Sequence, residues 1–404
     1  MSNNIPEIRF KGFTHAWEQR KLKDVAIYSN GGSFENDVQK KGRYELITLK
    51  SVDMDGNLIN SGRYVDIDVP TLIRGTLVMV LSEQSPGLLG MTAQIPVDNK
   101  YILNQRVAEI RPNKSIESYF LSMVINKNQQ YFSRCGAGTK VQNISKSNVE
   151  NFEFLCPIFQ EQQKIGQFLS ILSDTITLHK RKLDKLKELK KAYLQKMFPQ
   201  LGEKVPRVRF AGFTEPWVQR KLGEVAEFSK GNGYSKSDIV DQGTPIILYG
   251  RLYTNYETVI DNIDTFVKSK GISVLSEGGE VIVPSSGETA EDISRASVVA
   301  RSGIILGGDL NIIRPDSIIH SVFLAIAISN GTQQKELSKR AQGKSVVHIG
   351  NSDLKEVVLN LPSVKEQITI GNFFLELDGQ IIVQQQKIGQ LKQLKRAYLQ
   401  RMFL

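Results

Sequence analysis

Thirty-eight residues, Glu161 to Phe198, read EQQKIGQFLSILSDTITLHKRKLDKLKELKKAYLQKMF, and 205 positions later Glu366 to Phe403 read EQITIGNFFLELDGQIIVQQQKIGQLKQLKRAYLQRMF. In the first copy Ile165, Leu169, Leu172, Ile176, Leu183, Leu186, Tyr193 and Met197 alternate at spacings of three and four, the heptad seam of one long helix. The second copy repeats the seam at Ile370, Phe374, Leu377, Ile381, Ile388, Leu391, Tyr398 and Met402. The polar interruptions also coincide: His179 and Lys190 in one copy, Gln384 and Lys395 in the other. Such a helix is about 57 Å long at about 1.5 Å per residue. An apolar seam of that length cannot face water, so the two helices are expected to pack on each other.

The coincidence implies a duplicated chain, and the flanking sequence extends it. Arg9 to Ala26, RFKGFTHAWEQRKLKDVA, recurs as Arg209 to Ala226, RFAGFTEPWVQRKLGEVA, with 12 of 18 positions identical. The only tryptophans, Trp17 and Trp217, are equivalent, and each is expected to be a packing anchor. The copies then diverge until Ile110-Arg111-Pro112 meets Ile313-Arg314-Pro315. Between these anchors lie short β-branched runs (Tyr44 to Leu49, Thr76 to Leu81, Pro245 to Tyr249, Glu280 to Val283) bounded by turn residues, which read as sheets with loops. Helices are expected over Ser115 to Phe132 and Ser317 to Ser338, followed by glycine-containing loops at 136–140 and 341–345.

The organisation is therefore a lead-in and first variable domain over 1–155, a long helix over 156–200, a second lead-in and domain over 201–360, and a C-terminal helix over 361–404. The fold class expected is α+β: two similar globular domains joined by two long antiparallel coiled-coil helices, with internal duplication and a pseudo-two-fold axis.

Composition narrows the setting. At 404 residues, 40% hydrophobic and 23% charged, the chain is ordinary for a soluble protein of several cores. No signal peptide is read at the N-terminus, and the longest apolar run, Val322 to Ile328, is far short of a membrane span. Cys135 and Cys156 are too far apart for a CxxC pair, so a reducing cytoplasm is expected. A net charge of +10 and a pI near 9.3 favour a polyanionic partner. The long helices hold +5 and +2 of that charge, much of it suited to a solvated helix face.

No catalytic constellation assembles. Gly343-Lys344-Ser345 resembles the end of a phosphate-binding loop, but the first glycine of that motif would fall on Ser338. A nuclease-like set could be drawn from Asp316, Asp353 and Lys355, yet a turn suits Asp316 and a first helical turn suits Asp353. His15, His179, His320 and His348 are scattered, and no metal site is expected. His179 on a seam suits a register-setting role, with Gln384 as its counterpart close to the pseudo-axis.

The lead-in F-x-x-x-W-x-Q-x-K-L, the E-Q-x-x-I-G that opens each long helix and the A-Y-L-Q-K/R-M-F that ends it together resemble the specificity subunit of type I restriction-modification enzymes. The resemblance spans the whole chain, twice over. It implies a non-catalytic subunit whose two target-recognition domains each read one half of an asymmetric bipartite DNA sequence. It also implies that the helices set the spacing and dock two modification (methyltransferase) subunits, with two restriction (translocase and nuclease) subunits completing the enzyme. S-adenosylmethionine, ATP and Mg would then be bound by those partners, in an adenine-N6 methylating and restricting complex, and not by this chain. A self-sufficient DNA-modifying enzyme and a coiled-coil scaffold without DNA readout remain the competing readings.

DNA contacts are expected where the halves differ. The positions are Asn30, Ser33, Lys50, Ser82, Gln84, Thr139, Lys140 and Gln142 in the first domain. In the second they are Lys230, Asn232, Tyr234, Lys236, Tyr249, Arg251, Ser285, Ser286, Lys344 and Ser345. Phe168, Leu189, Leu194, Phe373, Leu394 and Leu399 flank the seam and are expected to meet the partner subunits. Half-sites about one DNA turn apart, roughly 34 Å, would suit two domains on one duplex face. Inserting four residues after Lys180 is then expected to lengthen the unread spacer.

Overall fold

The computed structural model describes residues 4–83, 87–200, 202–343 and 346–404. The chain divides into two compact units, 1–180 with 386–404, and 181–385. The two long helices, Phe159–Lys196 and Val364–Arg401, each run for 38 residues. Each unit thus holds one globular fold, the first part of one long helix and the last part of the other.

In the first unit an antiparallel sheet takes the order Ala26–Asn30, Val107–Pro112, Leu77–Val80, Thr92–Gln94. A second sheet places Tyr44–Ile47 between Tyr64–Val65 and Tyr101–Leu103, the last pair parallel. The strands are short and apolar because both faces are covered: Leu77, Val78, Met79 and Val80 are all buried. The lead-in enters as Glu18–Lys21, which pairs with Glu153–Cys156, the strand just before the long helix.

The second unit repeats the plan with additions. Ala226–Lys230, Leu310–Pro315, Val281–Pro284, Ser297–Val299 and Val259–Ile260 form one sheet, and Ile239–Val240, Phe266–Val267, Thr244–Ile247 and Ile305–Leu306 another. The register matches the repeat: Ala26 lies opposite Pro112, and Ala226 opposite Pro315. The lead-in strand Val218–Lys221 again pairs with the strand before the helix, Val358–Leu361.

Two expectations about helices need correction. Ser115 to Phe132 and Ser317 to Ser338 are not single helices but pairs, Ser118–Lys127 with Gln129–Cys135, and Ser321–Ile328 with Gly331–Arg340. An asparagine lies one residue past the first helix of one pair and two past that of the other. Asn128 Nδ2 donates to the carbonyl of Val124 at 2.8 Å, and Asn330 Nδ2 to that of Ile326 at 2.9 Å, which satisfies a terminal carbonyl and ends the helix there. The long helices also stop at Lys196 and Arg401, short of Phe198 and Phe403, because Met-Phe turns inward at each end. Phe403 packs edge-on to Trp17 at 6.1 Å, and Phe198 to Trp217 at 6.1 Å. Both tryptophans are buried anchors between this phenylalanine and a helix phenylalanine, Phe120 or Phe323.

Within each unit the two long helices run in opposite directions. Phe168 meets Tyr398 at 4.8 Å in one unit, and Phe373 meets Tyr193 at 5.0 Å in the other. The lead-in seals each helix end, with Ile8 N donating to the Arg401 carbonyl and Val208 N to that of Lys196, both at 2.9 Å.

Candidate nucleic-acid interface

The opening of each long helix fixes its globular fold. Glu161 accepts two hydrogen bonds from Arg9, at 2.6 and 2.7 Å, and Glu366 does the same for Arg209. The next residue faces the other way. Gln162 donates to the Pro157 carbonyl at 2.9 Å and accepts from Glu117 N at 2.8 Å, while Gln367 donates to Pro362 O at 2.9 Å and accepts from His320 N at 2.8 Å. Both glutamates and both glutamines are buried, so their full pairing is what makes the burial tolerable. The motif therefore clamps lead-in, recognition fold and helix together at the same point in both units.

On this common frame the candidate DNA residues fall in several places. The most organised is a small ribbon in which Ser82–Glu83 pairs with Gln142–Asn143, extended by a bridge between Ala137 and Asn143. The turn of the ribbon carries Thr139 and Lys140, both exposed. Gly138 adopts φ +129° there, and a Cβ on it would lie 2.0 Å from the Val141 carbonyl, so only glycine fits. The second unit builds the same ribbon from Ser286–Gly287 and Val347–His348, with a bridge from Gln342 to His348 and Gly343 at φ +129°. Ser82, Ser285 and Ser286 are buried within these ribbons, and Ser82 Oγ is held by Asn143. Gln84, Lys344 and Ser345 lie outside the described residues.

Other candidates serve local order. Asn30 ends the edge strand, where its Oδ1 accepts from Tyr28 Oη at 2.6 Å. Ser33 and Lys50 are exposed, Lys50 on the short turn Leu49–Ser51 beside the second sheet. In the second unit Asn232 donates to the Ile272 carbonyl at 3.1 Å and accepts from Val274 N at 3.0 Å, while Tyr234 Oη accepts from Lys270 N at 2.8 Å. Together they pin the loop 270–274. The hydrogen bond with Ser273 also holds the Tyr234 hydroxyl below its ordinary range. Lys230 and Lys236 are exposed, and Tyr249 packs against Tyr253 at 6.0 Å. Arg251 is enclosed by Glu257 at 2.7 Å and Asp264 at 2.8 Å, which ties its guanidinium to the fold of its own loop. Sequence reading does not nominate Asn143 and His348, the exposed ribbon partners. Aligning the two glycine loops at the 205-residue offset would have drawn attention to them.

On the long helices, Phe168 and Phe373 pack on Phe10 and Phe210 at 6.1 and 5.7 Å, and Leu194 and Leu399 pack against the cores of their units. Leu189 and Leu394 are exposed, as are Ile171 and Leu178 in the first unit and Ile382 and Val383 in the second. His179 is half-buried in the first unit, and Gln384 is buried in the second. Asp353 accepts from Gly350 N at 2.9 Å at a helix start, and Asp316 shapes a turn by accepting from Ile319 N at 2.9 Å, the roles expected of them. Among the described residues no group of three or more His, Cys, Asp and Glu side chains could hold a metal ion. None of the described helices is long and apolar enough to cross a membrane.

Two globular folds, each clamped to its own segments of the long helices and each carrying a ribbon paired at equivalent positions, define a duplicated scaffold. The family signature described as "Type I restriction modification DNA specificity domain" matches residues 15–188 and again 214–393, and the chain belongs to that family of specificity subunits. It is 21% identical over 315 residues to the type I restriction enzyme MjaVIII specificity subunit of Methanocaldococcus jannaschii, covering 75% of this chain and 73% of that one. Identity to the putative MjaX specificity subunit of the same organism is also 21%, over 408 residues, 94% of this chain and 91% of the other. The fold is similar to the crystal structure of the type I S subunit from M. genitalium, with a TM-score of 0.69, 16% identity and 99% of both chains covered. A solved structure reported under complex assembly and conformational transition of the type I restriction-modification system matches with a TM-score of 0.51, 19% identity and coverage of 97% and 98%. The chain is thus a non-catalytic DNA specificity subunit with two recognition domains, and not a self-sufficient DNA-modifying enzyme.

Proposed function

We propose that each unit reads one half of an asymmetric bipartite duplex sequence, chiefly through its ribbon. The observation that carries this is the combination of equivalent strand pairing with different side chains. Both ribbons bridge at the same offset and turn on a glycine at φ +129°, yet one presents Thr139, Lys140, Gln142 and Asn143, and the other Val347 and His348. Two half-sites that differ require this, because bases are told apart by the side chains aimed at their edges. The surrounding lysines supply backbone attraction without sequence preference.

The long helices set the spacing of the half-sites and dock two modification subunits on the exposed apolar positions, among them Leu178, Leu189, Ile382 and Leu394. Two restriction subunits join that complex. The partners, acting in the cytoplasm, carry S-adenosylmethionine, ATP and Mg. Exchanging residues 28–144 for another recognition domain tests the reading. Methylation mapped across a genome is expected to change in one half-site and stay constant in the other, and a change in both halves would overturn it.

A further inference from the structure

Each unit contains a recess between its recognition fold and the two helices, and the recesses are lined by equivalent helix residues. In the first unit the recess is about 360 Å³ and is rimmed by Lys392, Lys395 and Arg396. In the second it is about 1000 Å³ and is rimmed by Lys187, Lys190 and Lys191, the same positions 205 residues earlier. These are the basic residues of the repeated L-K-x-L-K-K/R segment. The residues of the globular folds that complete each recess differ between the units, whereas the basic triad is kept.

The carboxylates present are already engaged. Asp55 takes Lys180 at 2.8 Å and Lys392 at 3.6 Å, Asp378 takes Lys190 and the Thr258 hydroxyl, and Glu257 takes Arg251. Among the described residues, Lys187, Lys191, Lys395 and Arg396 have no carboxylate within ion-pair distance. The floors are apolar, with Met91, Met123 and Leu399 in one recess and Leu194, Leu375 and Ile381 in the other. Burial pushes the Lys395 ammonium below its usual range, so a negative group placed there would be strongly favoured.

We propose that each recess receives an acidic, amphipathic segment of a modification subunit, its carboxylates meeting Lys395 and Arg396 in one unit and Lys187 and Lys191 in the other, and its apolar side chains the floor. A duplex could supply phosphates to the rim but nothing to fill a methionine- and leucine-lined floor, whereas a segment of alternating acidic and apolar side chains satisfies both. The proposal rests on the reading that modification subunits are the partners.

The test uses the full chain, purified modification subunit, and the equivalent surface variants K191E and R396E, singly and together. Native mass measurement at low and moderate salt is expected to show that each single variant holds one partner about tenfold more weakly. The double variant is expected to weaken both. Duplex affinity of the chain alone should be unchanged. Variants that assemble as the wild type does at both salt concentrations would overturn the proposal and leave the DNA reading intact. Loss of duplex affinity with assembly unchanged would also overturn it, by giving the recesses to DNA. Failure of the wild type to bind modification subunit would remove the underlying reading itself.

Discussion

Arg9 and Glu161 lie 152 positions apart and meet through two hydrogen bonds of 2.6 and 2.7 Å, with the glutamate fully buried and the arginine also donating to the His15 carbonyl at 2.6 Å. The pair closes the lead-in onto the long helix. Removing one partner strands a buried charge, so Arg9→Met is expected to cost the first unit about 3–5 kcal/mol in denaturant unfolding. Changing both, R9M with E161Q, should cost clearly less than the sum of the single changes, because the second substitution removes the stranded charge. Additive losses would show that the pair is not coupled.

The glycine of the same motif separates the two copies. A Cβ at Gly166 would sit 2.1 Å from a carboxylate oxygen of Glu117, whose side chain caps the helix Ser118–Lys127 by accepting from Tyr119 N and Phe120 N. At Gly371 the nearest atom is Val322 Cγ1 at 3.3 Å. Alanine gains about 1 kcal/mol of helix propensity at either position. Gly371→Ala is therefore expected to be close to neutral, whereas Gly166→Ala loses the cap and is expected to destabilise by about 1–2 kcal/mol net. Thermal unfolding of the two variants side by side decides it, and equal shifts would contradict the packing argument.

The duplication, the long helices and the packing role of Trp17 and Trp217 were legible because each rests on a local rule: heptad spacing, or a large apolar residue in a repeated context. The ion pairs were not. Nothing in the spacing of Arg9 and Glu161 couples them, since they meet only after the strand Glu18–Lys21 pairs with Glu153–Cys156. Arg251 is expected at the DNA from sequence because it lies where the halves differ, and the folding of 251–264 back on itself, which encloses it, leaves no periodic trace. Ser82 and Ser286 are expected at the DNA surface from sequence, but they are buried, because each pairs with a strand some 60 residues away. At the helix interruptions Asn128 and Asn330 each donate to a carbonyl four residues back, and Gly331 adopts φ +68°, features that apolar periodicity does not register.

The link between Asp55 and both helices gives a pH dependence. The Lys180 hydrogen bond, reinforced by the charges of Lys180 and Lys392, holds the Asp55 carboxyl below the usual carboxylate range. A depressed folded-state pKa stabilises above the unfolded value and loses that contribution as pH falls through the folded value. All three groups are more than a third exposed, so the contribution is at most about 1 kcal/mol and falls with added salt. Asp55→Asn is expected to lower first-unit stability at neutral pH by that small amount and to match the wild type once the medium is acidic enough to protonate Asp55. A difference that persisted unchanged in strong acid would assign the effect to packing.

The ribbon turn offers a way to disturb DNA reading without touching a core. Gly138 and Gly343 both sit at φ +129°, and a Cβ at either would approach a carbonyl oxygen, of Val141 or Val346, to 2.0 or 1.9 Å. Alanine must therefore move the turn, and with it Thr139, Lys140 and Gln142 in the first unit. Because the turn itself is exposed and the ribbon strands are only two residues long, the stability cost should stay near 1 kcal/mol. Gly138→Ala is expected to weaken specific duplex binding by about tenfold, equivalent to about 1.4 kcal/mol. The loss should fall on substitutions in one half-site, and Gly343→Ala should mirror it on the other. Competition binding with duplexes altered in one half at a time reads this directly. If both variants kept wild-type affinity and half-site preference while folding normally, the bases would have to be read from elsewhere on the recognition folds.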